Sequence, residues 1–81
     1  MKARVYVSLK TTVLDPQGQA VRAALAGLGY TAIADVRQGK FFDIALAEGA
    51  SREQARKDVE AIAQDVLTNP VIEEFRVELV E

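Results

Sequence analysis

Thr31-Ala32-Ile33-Ala34-Asp35-Val36-Arg37-Gln38-Gly39-Lys40-Phe41-Phe42-Asp43-Ile44-Ala45-Leu46-Ala47 is the stretch on which the fold turns. Its halves, roughly 31–37 and 40–47, read as two strands joined at Gln38-Gly39, where glycine supplies the positive φ that a tight hairpin turn needs. That register puts Ile33 with Ile44 on one face, beside Phe42 and Leu46. Val36 and Phe41 fall on the other, near Ala32, Ala34, Ala45 and Ala47. Arg37 and Lys40 then stand directly opposite each other, and like charges in cross-strand register repel mildly. An acidic partner surface or a bound anion would relieve them; two side chains splayed into water is the plain alternative.

Outward from this hairpin the pattern is regular. Residues 2–10 alternate, with Ala3, Val5, Val7 and Leu9 on one side and Lys2, Arg4, Tyr6, Ser8 and Lys10 on the other, which is a half-buried strand. Asp15 is an N-cap, Pro16 suits the first helical position, and Gly29 is placed to end the helix. Ala20, Val21, Ala24, Leu25 and Leu28 form its apolar stripe. Ser51 and Gln54 read as a capping box opening a second helix, which buries Ala55, Val59, Ile62, Ala63, Val66 and Leu67 and stops before Pro70. A last strand alternates through Phe75, Val77 and Leu79. The order β-α-β-β-α-β predicts one α+β domain over residues 1–81: a four-stranded antiparallel sheet with both helices on one face, the ferredoxin-like arrangement. One sheet face then exposes Tyr6, Val36 and Phe41, an apolar patch that marks self-association.

Composition narrows the function. Among 81 residues there is no cysteine and no histidine, so disulfides are absent and a zinc or transition-metal site is not expected. Ten basic against twelve acidic residues leave a net charge of −2, which argues against nucleic acid as the main partner. No apolar run approaches the ~20 residues of a membrane span. Met1-Lys2-Ala3-Arg4 leads into the alternating strand and not into a signal-peptide core, so the expected location is cytoplasmic. A chain this small, without staples, commonly gains stability by oligomerising.

Catalytic constellations are missing as well. Ser8 sits on a strand and Ser51 caps a helix, with no histidine or cysteine to complete a nucleophile–base pair. Gly27-Leu28-Gly29 lies at a helix end, where carbonyls repel phosphate. Glu73 and Glu74 point to opposite faces of a strand. No catalytic residue, metal site or cofactor is expected in this chain.

Three segments together resemble the PurS family, the small subunit of phosphoribosylformylglycinamidine synthase. They are Val13-Leu14-Asp15-Pro16-Gln17-Gly18 ahead of the first helix, Leu28-Gly29-Tyr30 followed by Asp35-Val36-Arg37-Gln38-Gly39-Lys40, and Asn69-Pro70-Val71-Ile72-Glu73 before the last strand. Thr11-Thr12 stands where the family often carries Pro-Gly, and Phe75 where tyrosine is frequent. The resemblance implies a self-associating, non-catalytic subunit that helps join an ATP-dependent synthetase (PurL-type) to a glutaminase (PurQ-type). ATP, magnesium and glutamine would belong to those partners. Within these segments Pro16, Gln17, Gly18, Arg37, Lys40, Asn69 and Pro70 are the expected partner-binding residues, Arg37 and Lys40 for their charge. An ACT-type regulatory domain, binding an amino acid at a dimer interface, shares the element order and is the competing reading.

Overall fold

In the first strand the alternation of apolar and polar side chains is realised without exception. β1 (Lys2–Leu9) buries Ala3, Val5 and Val7 and turns Arg4, Tyr6 and Ser8 to the opposite face. It is the centre of the sheet. β2 (Gly39–Ala45) and β3 (Glu73–Val80) flank it, both antiparallel, in the order β2-β1-β3. Val5 lies between Phe42 and Val77, and Tyr6 between Phe41 and Arg76. The computed structural model describes residues 1–80; Glu81 lies outside the described residues.

α2 (Arg52–Ile62) covers one face of this sheet and continues as five residues of π-helix, Ala63–Leu67. Ser51 caps it by accepting the Gln54 N–H at 3.1 Å, but the Gln54 side chain turns to donate to Asp58 and does not accept the Ser51 N–H. Only half of the expected capping box therefore forms. Ala55, Val59, Ala63 and Leu67 recur at intervals of four and face the sheet, closing the core with Val5 and Val7. Ile62 and Val66, expected in the core, each precede an inward residue by one position. They are turned about a hundred degrees away and stay exposed, Val66 at 74%. The Thr68 hydroxyl donates to the Ala63 carbonyl at 2.8 Å and ends the helix ahead of Pro70.

The sheet has three strands, not the expected four, and only one helix lies on it. Residues 31–38 make no ladder. Gly39 lacks the positive φ that the hairpin reading gave it; among the glycines only Gly29 and Gly49 have it. Gly39 instead opens β2 opposite Ser8, where an added Cβ would come within 2.8 Å of the Val7 carbonyl oxygen. The physical reason is what holds the preceding residue. The Gln38 N–H donates to the Asp15 carboxylate at 2.6 Å, and the Arg37 guanidinium donates to the carbonyls of Lys10 and Val13. The chain before β2 is thus tied to the loop below α1 (Pro16–Gly27) and cannot turn back along β2.

α1 begins and ends as its sequence predicts. Asp15 caps it, and Gly29 at φ 95° follows its last turn, where the Tyr30 N–H donates to the Leu25 carbonyl at 3.0 Å. Its stripe, however, does not cover the sheet. Ala20, Val21, Ala24 and Leu28 stand in solvent, and Leu25 is half-buried. With the returning segment 28–38, α1 forms an arm that projects from the body. The radius of gyration is accordingly 16.3 Å, against about 12 Å for a compact chain of this length.

Candidate functional site

Leu28-Gly29-Tyr30 lies at the far end of α1, but residues 13–18, 35–40 and 69–73, parts of all three segments that carry the resemblance, meet at one end of the sheet. β1 leaves the sheet there through Leu9 and Lys10, while β2 and β3 enter it through Gly39 and Glu73. The Lys10 N–H donates to the Ile72 carbonyl at 2.8 Å, joining the first crossing to the Asn69–Glu73 turn. The Lys10 carbonyl accepts from Arg37 at 2.9 Å, joining it to the base of the arm. Lys40 reaches Glu73 at 4.0 Å.

At the base of the arm the polar groups form a clasp. Asp15 is 4% exposed, and its two carboxylate oxygens accept from the backbone of Gly18 at 3.0 Å and of Gln38 at 2.6 Å. Those two N–H groups, Gln38 first, hold its carboxyl below the ordinary carboxylate range, with the nearby Arg37 charge adding to them. Gly18 is buried, and the position requires glycine because any Cβ there would overlap the Val36 carbonyl oxygen. The 69–73 turn is tied in the same way. The Asn69 side chain accepts the Val71 N–H, its carbonyl accepts the N–H groups of Ile72 and Glu73, and its own N–H donates to the Glu73 carboxylate at 2.7 Å.

Of the residues expected to bind partners, Pro16, Gln17, Lys40, Asn69 and Pro70 are exposed, whereas Gly18 is enclosed in the clasp. Arg37 and Lys40 do not face each other. Arg37 is bound to two carbonyls, and Lys40 lies across from Val7 with its ammonium over the Phe42 ring, so the expected repulsion does not exist. Within the self-association trio, Tyr6 and Phe41 are cross-strand neighbours with ring centroids 6.2 Å apart. Val36 is separate from them, half-buried against Gly18.

The open face of the sheet holds residues that the sequence reading did not single out. Arg76 stacks on Tyr6 at 4.2 Å and Arg4 on Phe41 at 4.4 Å, while Arg4 also makes a two-pronged ion pair with Asp43. That pair lowers the Asp43 carboxyl and raises Arg4. The signal was present in the alternation: once the antiparallel register is known, Arg4 falls between Asp43 and Glu78, and Tyr6 between Phe41 and Arg76. The described residues bring no three His, Cys, Asp or Glu side chains into a metal-holding group, and none of their helices is long and apolar enough to cross a membrane.

A small α+β module that leaves a helical arm unpacked and knots its three turns at one end of the sheet has the geometry of an assembly subunit. Comparison with known proteins makes that class particular. The family model for PurS, phosphoribosylformylglycinamidine (FGAM) synthase, matches residues 2–81. The phosphoribosylformylglycinamidine synthase subunit PurS of Bacillus subtilis is 39% identical over 84 residues, covering 99% of this chain and 93% of that one. Its counterpart in Mycobacterium leprae is 41% identical over 76 residues, covering 94% and 91%. Among solved structures, Bacillus subtilis PurS superposes with a TM-score of 0.83 at 40% identity, covering 99% of this chain and 98% of that one. A chain of the PurLQS structure from Thermotoga maritima gives 0.84 at 27% identity, covering 95% and 93%. The chain belongs to the PurS family, the small subunits of phosphoribosylformylglycinamidine synthase in purine biosynthesis.

Proposed function

We propose that this subunit works by joining, in the cytoplasm, an ATP-dependent synthetase to a glutaminase, and that it self-associates to do so. In this reading the synthetase activates the amide oxygen of formylglycinamide ribonucleotide with ATP and magnesium. The glutaminase supplies ammonia from glutamine, and the small chain contributes contacts alone. The observation that carries it is the convergence of the three turns at one sheet end, where Pro16, Gln17, Lys40, Asn69 and Pro70 are exposed on backbone locked by buried or charged groups. A contact surface held in place before binding loses little conformational entropy when a partner arrives. Gly18 and Arg37 belong to this surface by setting its shape. Two further surfaces are available for self-association: the arm, and the sheet's open face with Tyr6 and Phe41.

Replacing Lys40 and Gln17 together with glutamate tests this reading. The double variant is expected to keep the parent's melting temperature and to co-elute less with the synthetase and glutaminase in gel filtration, with parent assembly weakening as salt rises. Assembly and glutamine-dependent turnover equal to the parent's at all salt concentrations would remove the sheet end as the contact surface.

A further inference from the structure

We infer that the groove between α1 and the chain returning from it receives an aspartate or glutamate side chain of one of the two large subunits. This rests on the joining role proposed above and gives the bridge a second contact surface, separate from the sheet end.

The groove holds about 370 Å³. Arg22, Ala23 and Ala26 line it from the helix, and Tyr30, Thr31 and Ile33 line it from the returning segment. At about 100° per residue, those three helical positions lie across the α1 axis from Ala20, Val21, Ala24 and Leu28. Burial of that apolar side therefore leaves the groove open. Its outer end also stands clear of the sheet end, because α1 runs for about 18 Å between the clasp and Leu28. A bridge that touches two large partners at once needs two such separated surfaces.

Charge selects the occupant. Arg4, Arg56 and Arg76 are paired with carboxylates, Arg37 binds two carbonyls, and Arg52 is engaged as well. Arg22 alone among the arginines has no hydrogen bond or ion pair to any described residue. No aspartate or glutamate lines the groove, and Tyr30 and Thr31 add hydroxyl groups to it. A guanidinium fork among neutral polar groups matches a carboxylate, whose single charge it balances. A phosphate monoester would bring nearly two charges to that one cation. A free amino acid would bring an ammonium for which the groove offers no carboxylate, which also weighs against the amino-acid-binding reading of this fold. A carboxylate on a protein side chain has neither defect. Its aliphatic stem would lie on Ala23, Ala26 and Ile33, and an arginine desolvated in such a pocket is the type of contact that dominates an interface.

The assembled complex provides the test. Arg22→Lys chain is mixed with both large subunits at concentrations that drive assembly and treated with a water-soluble carbodiimide, which joins an amine to a carboxylate in contact with it. Peptide mass spectrometry then locates the links. An amide from position 22 to an aspartate or glutamate of the synthetase or the glutaminase is expected. Links from position 22 only to a second copy of this chain, or none in an assembled complex, overturn the inference. Independently, Arg22→Glu is expected to keep the parent's circular dichroism and sedimentation, because the residue lies opposite the apolar side of α1. It should raise the subunit concentration needed for half-maximal assembly more than about 10-fold. Assembly equal to the parent's overturns the inference and leaves the joining role standing. A micromolar response of the chain's tyrosine fluorescence to propionate, lost in Arg22→Glu, would in that case assign the groove to a free organic acid. A parent that assembles with neither large subunit overturns the joining role itself, and the inference with it.

Discussion

Val59 and Val21 are the same residue on two helices of one chain, and they meet opposite fates. Val59, on α2, is 1% exposed against Val5 and Val7 of the sheet; Val21, on α1, is 41% exposed on the arm. The body is held by apolar burial, which is non-directional and scales with area. The arm is oriented by a few directional bonds at its base: Asp15 to Gly18 and Gln38, and Arg37 to Lys10 and Val13. The difference shows that an apolar stripe does not decide where a helix goes when a buried carboxylate holds both ends of the excursion.

Substitutions can break or sharpen this contrast. Gly18→Val is expected to have the largest effect, because its Cβ would overlap backbone and not a yielding side chain. We expect a loss of about 3 kcal/mol in urea denaturation, the upper range of overpacking; an unchanged midpoint would mean that the clasp does not close as described. Val59→Ala empties part of the body's core and should cost about 2 kcal/mol.

Asp15→Asn keeps the side chain's size but removes the charge that two backbone N–H groups share. Its melting temperature should fall at neutral pH, and the parent should lose that advantage in acid. The sign follows from the lowered carboxyl: the clasp's contribution is fully present above the unfolded value near 3.8 and disappears as pH falls through the lower folded one. Melting curves that separate parent and variant equally at pH 7 and at strongly acidic pH would show that ionisation of Asp15 plays no part. Arg37→Ala removes two bonds to exposed carbonyls and should destabilise by about 1 kcal/mol. A neutral result would return Arg37 to a solvated surface role. Smallest of all, Val21→Ala should change stability by less than about 0.5 kcal/mol when measured on dilute, dissociated chain. A drop as large as that of Val59→Ala would show the arm packed on its own body.

Read alone, the sequence determined the family, the α+β class, β1 and β3 by their period of two, and both helices by their caps and glycines. These signals are local. A capping carboxylate, a helix-ending glycine or an alternating strand acts within a few residues, so it can be recognised without knowing what lies across the molecule. The tertiary structure decided the rest. The 31–47 stretch carries the composition of a hairpin, but whether Gly39 serves as a turn or as a close approach to Val7 depends on the β1 backbone beside it. Whether 31–37 becomes a strand depends on a competition between ladder bonds to β2 and the bonds that Asp15 and Arg37 offer from more than twenty residues away. Asp15 was legible as an N-cap through its first oxygen. Its second oxygen, which takes the Gln38 N–H and sends the arm outward, made a contact that no spacing in the sequence encodes.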